Sequence, residues 1–196
     1  MAEHPHPAPP FGVRILALLI DYGLILAWMV VLALVAFGGY LATGSLFDWL
    51  TLGVLGAELL GFVLLVVPVG VYLYLAEISA RQATVGKRVM LLRVVRASDL
   101  GRSSHARILV RTVIKLLPWE FAHFFVWHVF AVVLAGRRDF PAWVMVGIVI
   151  ANVLPLVYLG VVAFQRDRRG PHDLVAGTRV VSDRAIETAP VVEVAR

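Results

Sequence analysis

Arg14 and Asp21 stand seven residues apart in the stretch FGVRILALLIDYGLILAW, residues 11–28, where nearly every other side chain is apolar. The run continues to Val35 without another charge, which is the length and composition of a bilayer span. An ionisable group near the middle of such a span costs about 2.5 to 3.5 kcal/mol on insertion scales, so it marks either an ion or proton pathway or a buried ion pair. Spacing of seven puts both residues on one helical face, but about 10 Å of rise separates them, and each needs another partner. If a later helix enters the bilayer near Arg107, Lys115 lies about 12 Å along it, near the depth of Asp21, while Arg14 comes level with Glu77. The expectation is therefore a pair between Asp21 and Lys115 or Arg111, serving either packing alone or a transport site. A break at Pro118 would change this, leaving residues 104–117 flat in the interface and Asp21 facing Glu120 or His123.

Three further constellations could do chemistry. Glu120 and His123 are at i and i+3 on one helical face, the spacing of helical metal ligands, with His128 half a turn away. Two ligands do not hold zinc, so a polar hydrogen-bonded cluster, or a proton relay using a histidine that titrates near neutral pH, is the reading. Glu58 lies on the second apolar run, either hydrated at an interface or buried with a partner. His172-Asp173 has the form of a metal-phosphohydrolase dyad but lacks the other His and Asp residues such sites need. Asp173 is expected to cap a turn or helix, or to pair with an arginine of the Arg81–Arg96 segment. His4 and His6, in a proline-rich leader, make no site. No nucleotide-binding glycine loop or nucleophilic triad occurs, so neither an enzyme, a metal nor a cofactor is expected.

These residues are positioned by a chain of 196 residues that is 60% hydrophobic and 16% charged, with a mean hydropathy of +0.86. Such values exclude a disordered chain and an ordinary soluble domain. The net charge of +5 and pI near 10.1 could suggest nucleic acid, but the basic residues alternate with apolar spans, which topology explains better. The absence of cysteine removes disulfide and thiolate chemistry. Residues 1–10 read as an uncleaved, disordered leader and 183–196 as a tail.

Four spans are expected, at about 13–37, 52–76, 116–135 and 142–164, with Gly38 and Gly39 ending the first. Gly53, Ala57 and Gly61 form a small-residue face that lets another helix approach, and Pro68 bends the second span and frees a carbonyl. Arg107, Arg111 and Lys115, four apart, form a basic stripe suited to anionic lipid headgroups. Met90–Val95 reads as a strand closed by Ser98-Asp99-Leu100-Gly101, and Thr178–Ser182 repeats its pattern and is expected to pair with Leu91–Arg96. Of the basic residues, Arg14 stands alone, nine fall between Arg81 and Lys115, two are Arg137 and Arg138, and six follow from Arg166 onward. Four spans with both termini inside put all but Arg137 and Arg138 on the cytoplasmic side. The fold class is thus an all-α integral plasma-membrane protein, a four-helix bundle with a small cytoplasmic two-stranded β element.

The Arg at the start of the first span, the Asp seven on, Thr84-Val85-Gly86-Lys87-Arg88 with Leu92-Arg93-Val94-Val95, and Gly170-Pro171-His172-Asp173-Leu174-Val175-Ala176-Gly177-Thr178 form one pattern. Over residues 11–182 it resembles the RDD family of small membrane proteins. The resemblance implies a multi-pass fold in which Arg14, Asp21 and Asp173 are the family's polar residues, and Gly86, Lys87, Arg88, His172, Gly177 and Thr178 belong to its cytoplasmic motifs. A transport role is implied only thinly, some members being linked to cation/proton antiport. Pro118-Trp119-Glu120-Phe121-Ala122-His123 is more polar than the corresponding family helix, which suggests a specialised branch. Two functions stay open. One is a small oligomeric transporter moving cations or protons through a polar site built around Asp21. The other is a non-catalytic scaffold that docks a second copy or another membrane protein.

Overall fold

The computed structural model describes residues 8–183, so residues 1–7 of the expected leader and the tail beyond 183 lie outside the described residues. Four helices are long and apolar enough to cross a bilayer: α1 (Phe11–Thr43), α2 (Gly53–Ile78), α4 (His105–Leu134) and α5 (Ala142–Phe164). Between α2 and α4 lie a short helix α3 (Val85–Val89) and strand β1 (Leu92–Arg96). After α5 come helix α6 (Pro171–Ala176) and strand β2 (Thr178–Ser182).

Two boundaries differ from those expected of the sequence. Gly38 and Gly39 do not end α1, because no polar side chain there competes for the backbone and each N–H keeps its carbonyl four residues back. The helix stops at Gly44, whose φ of 75° lets its N–H reach the Tyr40 carbonyl at 2.8 Å. Helix α4 starts at His105, capped by Ser104, and runs unbroken through the buried Pro118. Residues 104–117 are therefore the first turns of a span and not a separate interfacial helix.

The prolines explain two contacts between spans. Proline has no N–H, so Pro68 leaves the Leu64 carbonyl, and Pro118 the Ile114 carbonyl, without a helical donor. In hydrocarbon no water replaces that donor. Trp28 Nε1 of α1 donates to Leu64 at 2.9 Å, and the Tyr158 hydroxyl of α5 donates to Ile114 at 2.9 Å. The backbone just before Pro68 relaxes into a π-helical turn over Phe62–Val66, a common response to an interrupted ladder.

Close packing completes the bundle. Ala57 and Gly61 are buried, and a Cβ on Gly61 would come within 2.6 Å of His123 Nε2, so the small-residue face of α2 admits α4. A Cβ on Gly147 would overlap the Phe125 ring, which seats α4 on α5. Helix α1 instead packs chiefly on α3 and buries only Ala17 and Asp21.

Strands β1 and β2 pair antiparallel, with Leu92 opposite Ser182, Val94 opposite Val180 and Arg96 opposite Thr178. Leu92, Val94 and Val180 pack with Ala17 of α1 and Ile108 of α4, so the sheet is nailed to one end of the bundle by its apolar face. Arg93 and Asp183 pair at its margin.

Trp28→Phe and Tyr158→Phe should each destabilise by about 1 kcal/mol, since each strands a carbonyl in the bilayer. Thermal unfolding in detergent measures this. In a Pro68→Ala background, which returns an N–H to Leu64, Trp28→Phe should cost less. An unchanged cost would show that the indole serves packing alone.

Candidate functional site

At the sheet-bearing end, one arginine gathers the elements. Arg111, 1% exposed, leaves α4 and donates from Nε to Glu77 Oε2 at 2.8 Å. Its Nη1 donates to Asp173 Oδ1 and, at 3.2 Å, to the Thr178 hydroxyl. Lys87 of α3 takes the other Glu77 oxygen at 2.7 Å. Asp173 is wholly buried and uses both oxygens. Oδ1 also accepts from Thr178 at 2.9 Å, and Oδ2 accepts from Arg14 Nη2 and from the Gly170 N–H, each at 3.3 Å. Asp173 thus caps α6, as its place before an apolar turn suggests, but its arginines are Arg14 and Arg111 rather than any of Arg81–Arg96. Arg14 is held further by the Arg168 carbonyl.

The sequence explains why these groups meet. Pro171 starts α6, and Gly177, with φ of 63°, ends it in a left-handed turn that sends Thr178 back over Asp173. Arg107 donates to the Ala176 and Gly177 carbonyls at 3.1 and 3.4 Å and so secures that turn. Arg111 therefore faces protein and leaves the basic stripe expected with Arg107 and Lys115, while Arg107 stays exposed beside the turn it secures. A buried arginine has to be matched by acceptors before any headgroup can compete.

Asp21 is not paired with Lys115 or Arg111. It is 3% exposed, and its carboxylate accepts from the Tyr72 hydroxyl at 2.7 Å, the Thr84 hydroxyl at 2.6 Å and the Gly86 N–H at 2.9 Å. These are uncharged donors, and they are enough to satisfy a buried acid. The Tyr72 oxygen also accepts from the Val85 N–H at 3.0 Å. Gly86 is required because a Cβ there would overlap the Ala17 carbonyl, so only glycine lets α3 lie against α1. Thr84, Gly86 and Lys87 of the Thr-Val-Gly-Lys-Arg segment thus cap α3, admit it to α1 and tie it to Glu77. Arg88 fastens the preceding turn by donating to the Ala83 carbonyl at 2.9 Å and to Ser79 Oγ at 3.2 Å.

The cluster holds the cations Arg14, Lys87 and Arg111 against the acids Asp21, Glu77 and Asp173. Lys115 stands near Lys87, Glu77, Arg111 and Asp21, and its side chain makes no hydrogen bond or ion pair among the described residues. Three members of the network were not among the candidate site residues read from the sequence: Tyr72, Glu77, named only for its depth beside Arg14, and Thr84, named only as the start of a motif. Glu77 carried a signal, as the acid that ends an apolar span just before a basic segment. Thr84 carried one as a cap three residues before Lys87, whereas Tyr72 in an apolar run carried none.

A second set of polar groups lies further along the spans. A cavity of about 450 Å³ is lined by Glu58 of α2, by Leu117, Pro118, Glu120 and Phe121 of α4, and by Tyr158 of α5. His123 Nδ1 faces Glu120 Oε2 at 3.6 Å, too long for a hydrogen bond, and Trp127 Nε1 donates to His123 Nε2 at 2.9 Å. Glu120 and His123 do share a helical face, but they do not close the hydrogen-bonded cluster expected of them. His128 turns away, its Nδ1 donating to the Phe124 carbonyl at 3.0 Å and its ring lying against Trp143.

Four spanning helices, a polar loop helix and a two-stranded sheet locked at one end define a small multi-pass membrane protein. The chain matches the RDD family over residues 8–177 and belongs to it. No curated protein and no solved structure matches it.

Burial and the nearby Arg111 charge push His172 down to about 3, against an ordinary value of 6.5, so this ring beside Tyr158 and Asp173 is neutral. Burial alone would raise Asp173, but Arg111 and Arg14, with the Thr178 hydrogen bond, hold it below the ordinary carboxylate range. A histidine whose folded value is depressed gives stability that is full above the unfolded value and is lost as pH falls below about 6.5. Asp173 adds to the loss only below about 4. Between pH 7 and pH 5 the melting temperature should therefore fall, and His172→Gln should flatten that slope. Equal slopes in the two proteins would contradict a neutral, buried His172.

Proposed function

We propose that the protein is a non-enzymatic transporter that passes protons or small cations across the membrane, with the ionised cluster as the barrier at its cytoplasmic end. The observation that carries this reading is the acid-lined cavity between α2, α4 and α5, within the length of three spanning helices. A cavity with two carboxylates inside a bilayer is costly unless it serves a passing ion. Membership of the RDD family agrees with such a role. Orientation rests on the basic residues: among the described residues, all but Arg137 and Arg138 fall on the side of the sheet.

This reading moves the transport site away from Asp21. With three donors on its carboxylate, Asp21 fixes α3 against α1 and belongs to the barrier. A single four-helix unit is small for alternating access, so transport is assigned to an oligomer.

The scaffold reading has one observation in its favour. Helix α1 buries only Ala17 and Asp21, which leaves most of its length for a second copy or another membrane protein. Any docking there is through apolar packing, since the rest of the helix exposes chiefly apolar side chains such as Leu19, Leu26, Leu34 and Val35. Purified protein in liposomes under imposed proton, sodium or potassium gradients separates the two. Flux that falls at least tenfold in the Glu58→Gln/Glu120→Gln double variant supports transport. Absence of flux under every gradient, from protein that retains its wild-type melting temperature, refutes it and favours the scaffold.

A further inference from the structure

We propose that the two short helices at the sheet-bearing end, α3 and α6, are interfacial membrane anchors. Each lies at the boundary between headgroups and acyl chains of the leaflet on that side, with its outer face in lipid. The inference stands apart from the transport reading and holds whether or not the protein carries an ion.

Both helices present the wrong face for a surface bathed in water. A short helix packed on a soluble core buries its apolar side and turns its charges outward. Here α3 buries Gly86 and Lys87 and leaves Val85 and Val89, one turn apart, 38% and 62% exposed. Helix α6 buries Asp173 and Ala176 and leaves Leu174 and Val175 42% and 63% exposed. Phe164, at the end of α5 and before the turn into α6, is 92% exposed. Water on these side chains opposes the hydrophobic effect, and acyl chains match them.

The depth of the two helices is set by what they hold. Among the described residues, the exposed surface of the spans is uncharged and chiefly apolar down to Leu16 on α1, Leu75 on α2, Leu109 on α4 and Phe164 on α5. The first exposed charges beyond it are Arg81, Arg107 and Arg166. Length gives the same limit. Tryptophan favours the interface, and at the far end of the bundle lie Trp127 of α4 and Trp143 of α5, the latter against His128. A hydrocarbon layer of about 30 Å is crossed by about 20 helical residues, which lead from Trp127 back to Arg107 and from Trp143 on to Ala163.

Helix α6 lies just inside that limit. Its end is held by Arg107, Asp173 meets Arg111 one turn further in, and His172 stacks on Tyr158 of α5. Helix α3 is at a similar level or slightly deeper. Gly86 lies against Ala17 and donates to Asp21, one and two turns beyond Arg14, which itself pairs with Asp173. Interfacial helices lie at such a depth, about 5–10 Å into the headgroup and acyl boundary. Arg81 precedes α3 and Arg166 precedes α6, both exposed and long enough to reach the phosphates.

Lipid fits both faces better than a protein partner does. Helix α3 packs on α1 and α6 on α4, so the two apolar faces stand on different spans. Leu16 and Leu19 on α1, and Leu109 and Val113 on α4, carry the exposed apolar surface from the spans to the same level. The leaflet already covers those residues and needs only to continue.

The chain has no cysteine, so single nitroxide labels report each position cleanly. Labels at Val89→Cys and Val175→Cys, in mixed phosphatidylcholine–phosphatidylglycerol liposomes, should collide with oxygen in preference to a water-soluble nickel chelate. Power saturation should place both about 5–10 Å below the phosphates. Leu26→Cys, exposed in the middle of α1, is the deep control, and Ser98→Cys, in the turn after β1, should prefer the chelate. Either helix label reading like Ser98 overturns the proposal. A label shielded from both reagents places a protein, a second copy included, on that face and overturns it equally. Should either variant lose the wild-type melting temperature, Val85→Cys or Leu174→Cys from the same helix is read in its place, with the same outcomes.

Discussion

A guanidinium at 1% exposure has to be met by acceptors on nearly every side, and that requirement organises the sheet-bearing end of this molecule. Arg111 cannot be supplied by its own helix. It draws Glu77 from the end of α2 and Asp173 from α6, and those acids bring Lys87 and Arg14 with them. Thr178 is at once the first residue of β2 and a partner of both Arg111 and Asp173, so the sheet is registered by the same contacts. Breaking such a buried network by removing one partner costs about 3–5 kcal/mol, whereas forming it adds little net stability. Its consequence is that this end has one arrangement rather than several.

The rest of the bundle follows the same rule with neutral groups. Asp21 would be a charge in hydrocarbon if α3 did not close over it, and α3 can do so only because Gly86 has no side chain. Pro68 and Pro118 would strand carbonyls if Trp28 and Tyr158 did not reach across from neighbouring helices. Against this background a few buried polar atoms stay unbonded, among them Ser103 Oγ, Thr112 Oγ1, His172 Nδ1 and the facing pair of His123 Nδ1 and Glu120 Oε2.

The architecture was legible in the sequence because bilayer length and period-2 strand patterns are local properties. The four spans, the strand pair and the freed carbonyl at Pro68 all came from short windows. Arg14, Asp21 and Asp173 were legible as important residues, but not their partners. The depth argument placed Asp21 beside Lys115 on the assumption of straight helices side by side, and could not see that α3 folds back into the bundle and supplies Thr84 and Gly86. Arg111 was read as one of a basic stripe because spacing by four says which face a residue shares, not whether that face meets lipid or an acid from another span. Glu77 has no motif of its own, and its role exists only once α2, α3 and α4 are assembled.

The central claim, that Arg111 holds the sheet and α3 to the bundle as one unit, is tested most directly by hydrogen–deuterium exchange on Arg111→Met, with Lys115→Met as the control from the next turn of the same helix. Backbone amides of β1, β2 and α3 should lose protection together in Arg111→Met while the outer halves of the spans keep theirs, and Lys115→Met should match the wild type. Unchanged protection of β1, β2 and α3 in Arg111→Met, or equal losses in the two variants, would contradict it.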